Sequence, residues 1–123
     1  MKLKNSLYKV IGTDHDAVKA QIELRRDCVI YKAHFPEQPI TPGVCIIQMA
    51  TELLEEISGW TLSLKEVVNA KFLSVINPVN TISCSYQFQK LTELPENRIK
   101  VSVIVSDEST VYAKLSLIYA KYE

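Results

Sequence analysis

One uninterrupted run, residues 44–58, constrains the fold of this chain more than any other segment. It contains neither Pro nor Gly, and its apolar residues recur at helical spacing: Ile46, Ala50, Leu53, Leu54 and Ile57. Pro42 and Gly43 precede the run, and Gly59 follows it as a left-handed stop. These signals predict one long helix that is apolar over most of its circumference and therefore largely buried.

The remainder of the chain has the patterns of β-strands. Apolar and polar residues alternate over residues 18–25, 82–88, 99–105 and 111–119, as in half-buried strands. Residues 7–11 and 67–76 are less regular but rich in β-branched and aromatic side chains, and turns are predicted at residues 94–97 and 107–108. The order predicts an α+β fold whose antiparallel sheet is covered by one helix. Because one helix leaves strand edges uncovered, we expect at least a dimer that continues the sheet.

Length and composition narrow the possible classes of protein. The 123 residues predict one domain, 1–123, and 14 basic against 14 acidic residues give no net charge. Without a basic block, nucleic acid and anionic membranes are not expected partners. Three cysteines without metal-ligand spacing indicate reduced thiols and a cytoplasmic protein. No apolar run is long enough for a signal peptide or a membrane span.

The segment before the helix combines features that are typical of a catalytic site. Three prolines within residues 36–42 stiffen a loop that contains His34, one of two histidines, and leads into the predicted helix. Removing a proton next to a carbonyl group requires at least a base to take the proton and donors that stabilise the charge on the carbonyl oxygen. A histidine beside the free N–H groups of a helix N-terminus supplies both. A structural histidine fits the same pattern, and both interpretations remain open at this point.

Residues 34–44, HFPEQPITPGV, followed by Ile46 and Ile47, resemble the H-F-P-G-H-P-x-x-P-G-V signature of the β-hydroxyacyl-ACP dehydratases of the FabA/FabZ type. Residues 69–72, followed by Val75 and Pro78, are similar to a later strand of that family. The resemblance implies a hot-dog fold, in which a curled antiparallel β-sheet wraps around one long central α-helix. It also implies a hydro-lyase that converts a 3-hydroxyacyl thioester to the 2-enoyl thioester.

The resemblance assigns roles and partners as well. His34 falls on the catalytic base, and Gly43 on the glycine whose N–H receives the thioester oxygen. Phe35, Gly43 and Val44 are accordingly expected to bind substrate. The substrate would be carried on the phosphopantetheine of acyl carrier protein, and neither a metal nor another cofactor is implied. The expected assembly is a homodimer or higher homo-oligomer, or a heterodimer with a paralogue.

Three positions depart from the family pattern. Glu37 and Gln38 replace the motif glycine and the second histidine, and Gln48 stands where the family has its acidic residue. An amide cannot act as a general acid, so Gln48 is expected to orient substrate instead. Glu52, one turn further along the helix, is a candidate acid.

Several alternatives remain open from the sequence. Gln48, Glu52 and Glu55 could form the solvated side of the helix, or a partner paralogue could supply the missing carboxylate. The corresponding alternative functions are a catalytically impaired acyl-thioester-binding subunit and a hot-dog thioesterase. His15 is expected in a surface turn, and Cys45 as a packing residue rather than a reactive thiol.

Overall fold

The structure is a computed structural model that describes residues 2–33, 39–79, 81 and 83–122. Six strands and two helices follow one another in these described parts of the chain. In order they are β1 (Tyr8–Asp14), β2 (Lys19–Leu24), α1 (Val29–Ala33), α2 (Gly43–Ser58), β3 (Thr61–Phe72), β4 (Ser83–Leu94), β5 (Arg98–Ser106) and β6 (Val111–Tyr122). The predicted α+β architecture, with one long helix between two strands and four strands, is confirmed.

All six strands form one antiparallel sheet in the order β1-β2-β4-β5-β6-β3. The two predicted turns are confirmed, because residues 95–97 connect β4 to β5 and residues 107–110 connect β5 to β6. Glu96 and Asn97 both have positive φ, as required in the tight turns that match the twist of a hairpin. Strand β3 lies at one edge of the sheet and β1 at the other.

Helix α2 has the bounds that its sequence signals predict. Pro42 is its N-cap residue and makes no side-chain capping bond, and Gly59 ends the helix with φ +77°. The Gly59 N–H donates to the Glu55 carbonyl, which satisfies one of the carbonyls that a helix end leaves without a partner. The left-handed backbone at Gly59 is the reason that a residue without Cβ stands there.

The core lies between α2 and one face of the sheet. Every second residue is buried along β5, in the first half of β4 and in the middle of β6, in line with the period of two of a strand with one covered face. The largest fully buried side chains come from the sheet, from α1 and α2, and from the residue before β1: Tyr8, Tyr31, Tyr86, Tyr119, Leu7, Ile22, Met49, Leu53, Leu54, Ile99, Leu117 and Val101. Four of these twelve are tyrosines, so the core also contains hydroxyl groups that need partners.

Three elements differ from the sequence prediction, one of which is strand β4, because it continues to Leu94 beyond the predicted end at residue 88. Helix α1 has only 5 residues, which is too short for a periodic apolar face to identify it. Strand β3 begins at Thr61 rather than residue 67 and ends at Phe72. It ends there because the N–H groups of Leu73 and Ser74 both donate to the Tyr112 carbonyl, so regular pairing with β6 stops.

No helix within the described residues is long and apolar enough to cross a membrane. All three cysteines are buried as free thiols.

Candidate active site at the start of the central helix

The first turn of α2 begins at Gly43, whose N–H group is the predicted donor to the thioester oxygen. The N–H groups of Cys45 and Ile46 donate to the Pro42 carbonyl over 3.0 and 3.1 Å. Within the described residues, the N–H groups of Gly43 and Val44 have no acceptor. Two donors at the positive end of the helix dipole can stabilise a negative charge that develops on a carbonyl oxygen.

A side chain at Gly43 would displace the Phe72 ring. A Cβ at this position would lie 2.9 Å from the Cζ atom of Phe72. The Phe72 ring, although half exposed, therefore packs directly against the first residue of α2. This contact joins the end of the edge strand β3 to the N-terminus of the helix. The sequence gives no sign of it, because the two residues are 29 positions apart.

The predicted catalytic residue His34 and the predicted substrate-binding residue Phe35 lie outside the described residues, as do Glu37 and Gln38. The structure does define the two flanks of their loop. The Tyr31 hydroxyl and the Thr41 hydroxyl share a buried hydrogen bond of 2.7 Å, and the Thr41 N–H donates to the Ile76 carbonyl over 2.9 Å. Burial raises the pKa of Tyr31 to about 12, so this hydroxyl keeps its proton at neutral pH. These bonds fix Tyr31 and Thr41, which lie before and after residues 34–38 in the chain.

Gln48 and Glu52 form a hydrogen-bonded pair on α2. The Gln48 Nε2 donates to Glu52 Oε2 over 2.9 Å. Glu52 is only 8% exposed, so its charge is removed from water and needs compensating donors. Three further donors supply them: the Leu3 N–H at 2.8 Å, the Lys4 N–H at 2.8 Å and the Tyr8 hydroxyl at 3.0 Å.

Each oxygen of Glu52 accepts two hydrogen bonds. Oε1 accepts from Lys4 and Tyr8, and Oε2 from Leu3 and Gln48. A carboxylate oxygen has two lone pairs in its plane, so a proton on either oxygen would displace one of these donors. Burial, followed by the Glu52 charge, raises the pKa of Tyr8 far above its ordinary value, so the Tyr8 hydroxyl remains a donor.

The prediction of a solvated polar side on α2 is wrong for Glu52, which is buried against the N-terminal segment. Glu55 is half-buried, and its Oε2 accepts a hydrogen bond from the Leu62 N–H over 2.9 Å. Glu56, by contrast, is exposed and pairs with Lys4. Sequence reasoning missed these partners because two of the four donors to Glu52 are backbone N–H groups, which every residue except proline carries.

The remaining candidates are placed as follows. Val44 is 67% exposed at the start of α2, where an apolar side chain can meet a ligand or a partner. Cys45 is buried, and burial raises the pKa of its thiol, which confirms the expected packing role over a reactive one. His15 is exposed in the turn between β1 and β2, as predicted. Two surface hollows of about 660 and 320 Å³ on the sheet are lined by no residue of α2.

A six-stranded antiparallel sheet that packs on one long helix with a Pro-Gly start defines the class of hot-dog folds. The sequence pattern of the ApeI-like family, described as ApeI dehydratase, matches residues 10–114. The chain belongs to this dehydratase family. The predicted membership in the wider FabA/FabZ-type group is confirmed.

Individual relatives agree with the family assignment. A 3-hydroxyacyl-[acyl-carrier-protein] dehydratase FabZ of Thermotoga neapolitana is 28% identical over 114 residues, which are 89% of this chain and 80% of the relative. A second FabZ, from Latilactobacillus sakei subsp. sakei, is 29% identical over 99 residues, which are 72% of this chain and 68% of the relative.

Solved structures confirm the hot-dog fold. A chain of the dehydratase heterocomplex ApeI:P from Xenorhabdus doucetiae superposes with a TM-score of 0.67 at 18% identity, covering 98% of this chain and 99% of that chain. The thioesterase HI1161 from Haemophilus influenzae superposes with a TM-score of 0.62 at 14% identity, covering 97% and 81%. At these identities the likeness defines the fold and leaves the reaction to be argued from the site.

Proposed function

We propose that this chain is the 3-hydroxyacyl-thioester-binding subunit of a dehydratase and eliminates water to give the 2-enoyl thioester. The observation that carries the proposal is the start of α2, where Gly43 and Val44 offer N–H donors without acceptors among the described residues. His34, fourteen residues before Gln48, would remove the C2 proton, and the Gly43 N–H would stabilise the charge on the thioester oxygen. Phe35 and Val44 would contact the acyl chain.

The leaving hydroxyl group needs a proton that Gln48 cannot supply. An amide does not titrate, and general acid help is worth about two to four orders of magnitude in rate. Glu52 could donate only by giving up one of its four hydrogen bonds. We therefore propose that full activity requires an acidic residue from a paralogous partner subunit. The ApeI:P relative, described as a dehydratase heterocomplex, supports this assembly.

The edge strand β3 is the surface that such a partner, or a second copy, would use. Strand β3 pairs with β6 on one side only. Leu64, Val67 and Val68 on this strand are all exposed. An exposed apolar edge with unpaired backbone groups favours continuation of the sheet by another chain. The Phe72 ring against Gly43 lies on the same strand, so this contact would bring the partner close to the helix N-terminus.

The acyl group would be carried on the phosphopantetheine of acyl carrier protein, and the proposed reaction uses no metal and no redox cofactor. The two FabZ relatives are named as acyl-carrier-protein dehydratases, which supports this carrier. The buried free thiols suit a reducing compartment, and we propose the cytoplasm.

One assay separates the candidate reactions. A 3-hydroxybutyryl thioester of acyl carrier protein is incubated with the purified chain, alone and with a paralogous hot-dog subunit encoded nearby. The enoyl product is followed by its absorbance, and released thiol is followed in the same samples. We expect slow enoyl formation by the chain alone and a rate about a hundredfold higher with the partner. The variant His34→Ala should form no enoyl product, either alone or with the partner. Thiol release without enoyl product would instead support the thioesterase function.

Assembly is tested by light scattering at micromolar concentration. We expect at least a dimer, and a double substitution Val67→Lys and Val68→Lys should shift the mass towards one chain of 14.0 kDa. The matched control is Ile11→Lys, which charges an exposed apolar position on β1 at the opposite edge of the sheet. A wild type that remains a monomer alone and with its paralogue would contradict the proposed assembly.

A further inference from the structure

The sheet has a second face, which points away from α2. Along β5 it carries every second residue from 98 to 106, and these are exposed or half-buried. The smaller of the two hollows, about 320 Å³, lies on this face across β3, β6, β5 and β4. A row of polar residues that pair from strand to strand crosses it: Asn69, Ser116, Ser102 and Gln89. The hollow therefore offers hydroxyl and amide groups on the side of the sheet that α2 does not cover.

Three lysines surround this hollow. Lys71 on β3, Lys114 on β6 and Lys90 on β4 line it, and all three are exposed. Within the described residues none of the three forms an ion pair, and no acidic residue lines the hollow. Glu66, on the same face of β3, lies outside it. The hollow is thus positively charged in a chain that has no net charge.

The positions of these lysines are unfavourable for the protein alone. Lys71 and Lys114 are direct partners across the antiparallel pair of β3 and β6, so their Cβ atoms lie about 5 Å apart on one face. Like charges at such positions destabilise a sheet. Lys90 has φ +53° at the irregularity between Gln89 and Thr92, a left-handed backbone that residues with a Cβ rarely adopt. An anion bound between the lysines would offset their repulsion.

We propose that this hollow binds the phosphate groups of a small organic phosphate. Lysine ammonium groups bind phosphate as point charges, whereas recognition of a planar carboxylate favours arginine, and no arginine lines the hollow among the described residues. The hydroxyl groups of Ser102 and Ser116 can donate to further phosphate oxygens. The volume is at the lower end of the range for small-molecule sites, so the ligand is a small molecule rather than a macromolecule.

The larger hollow, about 660 Å³, has a different charge. Lys19 lines it together with Asp107 and Glu108, so positive and negative charges compensate each other there. The proposed phosphate site is also separate from the start of α2, because it lies on the opposite face of the sheet. A chain that continued the sheet at β3 would extend this face rather than cover it. The site therefore stands whether or not the chain eliminates water from a thioester.

Calorimetric titration of the wild-type protein in a chloride buffer tests the site. The probes are inorganic phosphate, pyrophosphate, 4′-phosphopantetheine and adenosine 3′,5′-bisphosphate. We expect at least one organic phosphate to bind with a Kd below about 1 mM, and the affinity should fall at least about tenfold in the double variant Lys71→Gln with Lys114→Gln. Tighter binding of the pantetheine compound would assign the phosphate to the arm of an acyl carrier, and tighter binding of the adenosine compound to a nucleotide.

The matched control is Lys19→Gln, which removes an exposed lysine from the same face of the sheet and leaves the smaller hollow unchanged. Its affinity should differ from wild type by less than about twofold. An equal loss in Lys19→Gln and in the double variant would show a general charge effect and overturn the proposal. Wild-type protein that binds none of the four probes, or a double variant that keeps the full affinity, would overturn it as well.

Melting temperatures measured without phosphate give a second test. Lys114→Gln removes the repulsion with Lys71, so the variant should melt about 1–4 °C higher than wild type. Addition of the organic phosphate that binds should raise the melting temperature of wild type more than that of the variant, because a ligand stabilises the fold in proportion to its affinity. A variant that melts lower without phosphate would show that the two lysines stabilise the sheet by themselves, and this result would overturn the proposal.

Discussion

The substitution Glu52→Gln should destabilise the fold more than any other single change of a charged residue in α2. The variant keeps the shape of the side chain but replaces one acceptor oxygen by a donor, and four donors converge on the two wild-type oxygens. If Gln48 adapts by turning its amide, the Leu3 N–H is left facing another donor in a buried position.

The magnitude follows from these contacts. A buried donor without a partner costs about 1–3 kcal/mol, and each of the two remaining bonds at Lys4 and Tyr8 weakens by about 0.5–1 kcal/mol when its acceptor loses its charge. The sum is about 2–5 kcal/mol, and we take about 3 kcal/mol as the expected loss. For a domain of this length, 1 kcal/mol corresponds to about 3–5 °C, so the melting temperature should fall by about 10–15 °C.

The assay is urea denaturation followed by circular dichroism, at one protomer concentration for all variants because assembly contributes to stability. The matched control is Glu56→Gln, one helical turn further along α2, which removes only the exposed ion pair with Lys4 and should cost about 0–1 kcal/mol. A loss below about 0.5 kcal/mol for Glu52→Gln, or an equal loss for both variants, would refute the assignment of Glu52 as the anchor of the N-terminal segment.

Three further predictions follow from particular contacts. In Gln48→Glu the new carboxylate faces the Glu52 carboxylate, so the melting temperature relative to wild type should be lower at about pH 8, where the two charges repel, than at about pH 5. A difference from wild type that does not change with pH would contradict the pairing. Gly43→Ala should displace the Phe72 ring, which its Cβ would approach to 2.9 Å, and should lower the rate of the proposed enoyl formation about tenfold or more. The double variant Gly43→Ala with Phe72→Leu should recover part of this rate, whereas full activity of the single variant would contradict the contact. Burial raises the pKa of the Cys84 thiol to about 12. The neutral thiol therefore contributes its full stability below the pKa of the unfolded chain near 9, and this contribution is lost as the pH rises towards 12. Alkylation of Cys84 in the folded protein at neutral pH, detected by mass spectrometry, would contradict its burial.

Much of the fold could be predicted from the sequence, because it depends on local signals. The period of 3.6 in α2, its stop at Gly59 and the alternation in β5 and β6 each arise from residues close together in the chain. The hot-dog fold and the family followed from one contiguous motif at residues 34–44 and the order of the elements. Such features need no knowledge of which distant residues come into contact.

The tertiary structure decided the environment of the polar residues on α2. The sequence places Gln48 and Glu52 one turn apart, but the same spacing is compatible with a solvated face, a catalytic acid or a buried anchor. Only the packing of the N-terminal segment, 44 to 49 residues away in the chain, covers Glu52 and surrounds it with donors. The local sequence does not distinguish an exposed acidic residue from a buried one, because burial depends on which distant residues pack against the side chain. The structure likewise determined that Phe72 packs on Gly43, which no periodicity encodes.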